Sequence, residues 1–165
     1  MSSKRSINVL KKLAGELRVR NASLRLDQQV VKVTATTTLL AKDSGKVHIV
    51  GPLAAGLAAD TIITLPDAED GLYYEFHYVG GAADAQDFQL NTGSDTNYWI
   101  GGIFQHDIGG DDGVSYHPNL SSNSRINFLT PDASTYAKCF CDGTNWFIEA
   151  RLNSATDTGI TFADQ

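Results

Sequence analysis

The sequence predicts an all-β fold, a β-sandwich or jelly-roll-like domain preceded by a short helical or extended N-terminal arm. Three observations carry that expectation. From residue 30 onward, short runs rich in Val, Ile, Thr and aromatic residues follow one another at roughly a dozen residues each. Glycine, proline and Asx residues punctuate the gaps. No helical pattern of useful length lies between the runs, so a parallel α/β sheet is not expected.

Residues 6–17 hold the helical pattern of the chain. Ser6 can cap it, and Ile7, Leu10, Leu13, Ala14 and Leu17 recur at helical spacing, with Lys11 and Lys12 on the other side. Gly15 weakens the last turn, and Lys4 with Arg5 oppose the helix dipole. A helix this short needs a surface to pack on. The period then changes to two: Leu17, Val19, Leu24 and Leu26 alternate with Arg18, Arg20 and Arg25, a positive stripe on an extended segment. Residues 30–40, dense in Val and Thr, read as one long strand.

Ten further strands are expected at 47–50, 61–65, 72–79, 87–90, 98–104, 114–116, 125–129, 136–141, 146–152 and 159–162. The connections include Asp43-Ser44-Gly45, Pro66-Asp67, Gly80-Gly81, Thr92-Gly93-Ser94, Gly109 to Gly113, Thr130-Pro131-Asp132 and Asp142-Gly143. Trp146 and Phe147 must point to opposite faces of their strand. One belongs to a core, and the other covers a groove or a subunit contact.

A length of 165 residues suits one ordinary domain. Hydrophobic content of 42% and charged content of 19% describe a globular chain. No apolar run approaches the ~18 residues of a membrane span, and Met-Ser-Ser-Lys-Arg-Ser does not open a secretory signal. Synthesis in a cytoplasm is expected, with no membrane association. Cys139 and Cys141 are too few for a disulfide framework and read as small residues facing one core.

Charge is polarised along the chain. Residues 1–32 carry eight basic residues against two acidic, a net of +6; the remainder carries five against 17, a net of -12. A basic arm, residues 1–35, and an acidic body, residues 36–165, are the expected parts. Such an arm suits docking onto an acidic surface.

Four segments carry a resemblance. They are Leu39-Leu40-Ala41-Lys42-Asp43-Ser44-Gly45-Lys46, Thr61-Ile62-Ile63-Thr64-Leu65-Pro66, Gly71-Leu72-Tyr73-Tyr74-Glu75-Phe76 and Cys141-Asp142-Gly143-Thr144-Asn145-Trp146-Phe147. In order and spacing they resemble a domain recurrent in structural proteins of tailed phages, especially those of aquatic bacteria. The resemblance implies a β-sandwich module of capsid decoration proteins, head fibres and tail fibres, often trimeric, with no enzyme active site. The short arm, in place of a long shaft, favours a decoration protein.

His48 and His77 lie in expected strands and read as sheet histidines. His106 and His117 flank a loop with Asp107, Asp111 and Asp112, a spacing unlike an EF-hand, and turn and solvation roles are expected there. Glu75 and Glu149 are the carboxylates that glycoside cleavage would use, with nothing in the sequence to set them face to face. No nucleophile elbow, Walker loop, zinc-protease motif or dinucleotide fingerprint occurs. Gly80-Gly81 and Gly101-Gly102 read as turn or bulge glycines. Nucleic acid is not an expected partner, because the arm lacks aromatic residues for stacking and the body repels polyanions.

The expected function is therefore that of a phage capsid decoration, or cement, protein on the virion surface, with no enzymatic activity, cofactor or metal. Its expected partners are the major capsid protein and its own copies in a homotrimer. Lys4, Arg5, Lys11, Lys12, Arg18, Arg20 and Arg25 would supply electrostatic contacts, and Ile7, Leu10, Leu13 and Leu17 apolar burial. The alternative is a head- or tail-fibre module that recognises a host-surface glycan or receptor through Tyr98, Trp99 and Tyr116 on loops.

Overall fold

A computed structural model describes residues 29–53, 55–81, 86–110 and 113–165. Two sheets form an all-β sandwich. The larger contains, in spatial order, β1 (Val30–Val33), β3 (Val47–Val50), β5 (Asp70–Tyr78), β10 (Tyr136–Asp142), β11 (Trp146–Ser154), β7 (Trp99–Asp107) and β8 (Val114–Pro118). The smaller contains β12 (Ile160–Ala163), β9 (Arg125–Phe128), β6 (Phe88–Asn91), β4 (Thr61–Thr64) and β2 (Thr37–Thr38). No helix among the described residues is long and apolar enough to cross a membrane.

All ten strands expected after residue 46 are present. The single long strand expected over residues 30–40 is not: it is two strands, β1 and β2, in different sheets. The chain bends at Thr34–Thr36, where the Thr36 hydroxyl accepts the Ile62 N–H at 3.1 Å. Val and Thr propensity favours extended backbone but does not say which sheet receives it.

That bend begins an alternation that runs through β6, with odd strands in the large sheet and even strands in the small one. A chain that crosses and returns re-enters each sheet in its original direction. Five of the ten strand pairings are parallel, and four of them, β1–β3, β3–β5, β2–β4 and β4–β6, follow from this alternation; the fifth is β7–β11. Parallel neighbours need a crossover of about a dozen residues, commonly a helix. For the four pairs within the alternation, the crossover is a strand of the opposite sheet. The β10–β11 hairpin is conventional: the Asp142 carboxylate accepts the Thr144 and Asn145 N–H groups at 2.9 and 2.7 Å, and Gly143 takes φ +90°. Those two donors hold the Asp142 carboxyl below the usual carboxylate range.

The core lies between the sheets. Trp99, Trp146, Tyr74, Phe76 and Tyr78 meet Ile63, Leu65, Phe88, Leu90, Ile126 and Phe128, all buried. Phe88 stacks on Phe128 with centroids 5.1 Å apart. Cys139 and Cys141 face this core, buried and unbridged. Burial raises both thiol pKa values, leaving them protonated and unreactive.

His48 is a polar intruder in the same core. It is fully buried against the rings of Phe76 and Tyr74, at 5.2 and 6.0 Å. Nδ1–H donates to the Glu75 carbonyl at 3.3 Å, and Nε2 has no partner. Burial lowers its pKa from 6.5, only partly offset by that carbonyl. Below pH 6.5 the unfolded chain therefore binds a proton that the folded chain refuses. The contribution is complete above pH 6.5 and is lost as pH falls, by up to about 1.4 kcal/mol per pH unit. Urea midpoints measured between pH 7.5 and 5 should fall more steeply for the wild type than for His48→Leu; parallel curves would contradict this account.

Candidate functional site

Strand alternation places a second set of side chains on the outer face of the large sheet. Register assembles them into rows across the strands. One row runs Tyr73, Phe140, Phe147 and Ile100; the next Glu75, Lys138, Glu149 and Gly102; the third Ile49, His77, Tyr136, Arg151, Phe104 and Tyr116. Most outer faces are polar, but two of these rows are aromatic.

The rings are ordered by their neighbours. Phe140 stacks on Phe147 at 5.0 Å with planes 5° apart, His77 packs on Tyr136 at 4.8 Å, and Phe104 on Tyr116 at 4.9 Å. Tyr116 also lies over Gly102, where a Cβ would stand 2.5 Å from the Tyr116 hydroxyl. Glycine in the middle of β7 thus lets a ring from the edge strand settle onto the backbone. Gly101, at φ +119°, would drive a Cβ into the Ile148 carbonyl. The Gly-Gly pair is a seat for the sheet's own atoms.

Charged groups on this face are mutually satisfied. Tyr73 Oη donates to Glu75 Oε2 at 3.1 Å, and His77 Nε2 donates to Oε1 at 2.7 Å. Burial, then the Glu75 carboxylate, pushes the Tyr73 phenol up to about 12, so it remains a donor. Lys138 pairs with Glu149 at 2.7 Å. Glu75 and Glu149 do share a face, two strands apart at about 10 Å, with Lys138 in register between them. A groove of about 510 Å³ runs between His77, Tyr136, Glu149, Arg151 and Phe104. A second of about 510 Å³ continues past Arg151 to Val114 and Asn153.

Apolar exposure concentrates at one edge. Ten large hydrophobic side chains are exposed among the described residues, and six of them, Ile100, Phe104, Ile108, Val114, Tyr116 and Leu120, lie on β7, β8 and their connections. Val114 is 71% exposed, Tyr116 52% and Phe104 53%. Four of the five β8 residues are exposed, from both faces of the strand. β8 is an edge strand of the seven-stranded sheet. An unprotected edge of this kind invites pairing unless something covers it.

The residues named from the sequence fall in several places. Lys4, Arg5, Ile7, Leu10, Lys11, Lys12, Leu13, Leu17, Arg18, Arg20 and Arg25 lie outside the described residues, as do Asp111 and Asp112. Of the loop aromatics, Tyr116 is exposed but on a strand, and Trp99 is a correction. It is 1% exposed in β7, and its indole N–H donates to the Ser124 carbonyl at 3.1 Å. Its alternation with Ile100 puts it on the core side. His117 accepts or donates to Ser115 Oγ at 2.8 Å, and Asp107 accepts the Gly109 N–H at 2.8 Å. Phe104, Tyr136, Phe140 and Arg151 were not singled out from the sequence, although Phe140 between two core cysteines marks a strand that is apolar on both faces.

Comparison with protein-family models, characterised proteins and solved structures finds no match.

Proposed function

We propose that this chain is a non-enzymatic structural protein of a tailed-phage virion, a capsid decoration protein that binds the shell of major capsid protein. The observation that carries the reading is the β7–β8 edge with its exposed Phe104, Val114 and Tyr116. Aromatic side chains held rigid before binding lose little entropy on contact and make effective interface anchors. A protein that grips the assembled lattice better than its separated subunits stabilises the lattice by linkage. Three copies around a three-fold position would add avidity.

A second reading has its own support. The groove between Tyr136, Arg151, Glu149 and His77 combines rings with hydrogen-bonding charges, a lining that suits a saccharide. It corresponds to a head- or tail-fibre module that recognises a host-surface glycan. Gold-labelled antibody against this protein, viewed on phage particles by electron microscopy, tests the choice. Label over the head is expected; label confined to the tail would favour the fibre reading, and unlabelled particles would remove both.

A further inference from the structure

We propose that residues 1–28 dock within the same chain on the outer face of the large sheet, at the corner formed by Tyr73, Phe140, Phe147 and Ile100. This surface meets the β7–β8 edge only at Ile100, and the inference does not depend on the virion reading.

At Gln29 the carbonyl accepts the Val47 N–H at 3.2 Å, fixing the chain to the edge of the large sheet just before β1. Strands β1, β3 and β5 are parallel and β10 is antiparallel to β5, so residue 29 lies at the end of the sheet where β5 begins and β10 finishes. Only three strand intervals, about 14 Å, separate β1 from β10. A 12-residue helix alone is about 18 Å long. Reach is therefore ample, and a tethered segment meets its own face at an effective concentration on the order of millimolar.

The segment and this end of the sheet are complementary in charge. The turns at this end expose Asp67, Glu69, Asp70 and Asp142, with Asp70 and Asp142 opposite one another in register. Nearby cations are Lys42, Lys46 and Lys138, the last two bound to Asp43 and Glu149, each at 2.7 Å. The segment carries seven basic residues against two acidic.

The apolar pattern matches as well. Phe140 is 53% exposed, and the row from Tyr73 to Ile100 spans four adjacent strands. Leu10, Leu13 and Leu17 recur at helical spacing, with Lys11, Lys12 and Arg18 beside them. Laid across the corner, the leucines meet the rings and the cations meet the carboxylates. The acidic surface that the basic arm requires is then present on its own body.

Zero-length carbodiimide coupling of the full chain tests this, using an equal mixture of ¹⁵N-labelled and unlabelled protein read by mass spectrometry. Expected are amides joining Lys4, Lys11 or Lys12 to Asp67, Glu69, Asp70 or Asp142, each within one isotopic form. Phe140→Ser/Phe147→Ser should lower their yield at least ten-fold. Leu10→Ser/Leu13→Ser, which changes no residue of the described strands, should do the same. Absence of these amides in the wild type, yields unchanged in the leucine variant, or amides joining labelled to unlabelled chains would each overturn the assignment.

Discussion

Trp146→Ala should lower stability by about 3–5 kcal/mol, the range for deleting a large buried aromatic side chain. The residue sits at the entry of β11 with 0% exposure, its indole 5.8 Å from the Tyr74 ring and 6.4 Å from Trp99. It is in register with Cys141 on one side and Trp99 on the other, so its loss opens a void between three strands. Against a typical total of about 5–15 kcal/mol, a loss of this size should lower the midpoint of thermal unfolding by roughly 10–15 °C. Trp146→Phe distinguishes packing from polarity. Its ring fills most of the same space and removes an indole N–H that has no acceptor, so it should cost below about 1.5 kcal/mol. Circular dichroism melts of the two variants check both numbers, and equal losses would contradict the packing account.

Val114→Thr/Tyr116→Thr is expected to act in the opposite way, sparing the fold and abolishing binding. Threonine keeps a β-branched side chain on the strand. Val114 touches little, while Tyr116 gives up its packing on Phe104 and Gly102. The double variant should therefore lose no more than about 1 kcal/mol of stability. Interface anchors, by contrast, cost ~2 kcal/mol or more apiece when truncated. Two of them together correspond to an affinity loss of roughly a thousand-fold.

These variants fall on opposite sides of a division that the sequence expressed unevenly. Strand positions were legible because turn chemistry is local: Asp142-Gly143, Pro66-Asp67 and Thr92-Gly93-Ser94 each end a strand where the residues require it. Sheet membership was not, because crossing from β1 to β2 and back is decided by packing between distant segments. The same limit hid the parallel pairings. Residues 30–40 read as one strand since nothing in Thr34-Ala35-Thr36 announces a change of layer.

The outer face was half legible. Alternation alone required Trp146 and Phe147 to face opposite ways, and the structure buries the first and stacks the second on Phe140. Trp99 and Tyr116 could not be separated by composition, since each has an apolar residue and a glycine within three positions. Register decided them: Trp99 pairs with Trp146 on the core side, and Tyr116 with Phe104 on the outer side. A strand that is apolar in both alternating sets, such as Tyr73-Tyr74 or Cys139-Phe140-Cys141, was the available sign of a face needing cover.

Co-sedimentation with emptied phage heads offers the most direct trial of the shell-binding edge. Wild-type protein should pellet with the heads to saturation, while folded Val114→Thr/Tyr116→Thr stays in the supernatant at the same concentration. Equal pelleting of both proteins would show that β8 does not carry the contact.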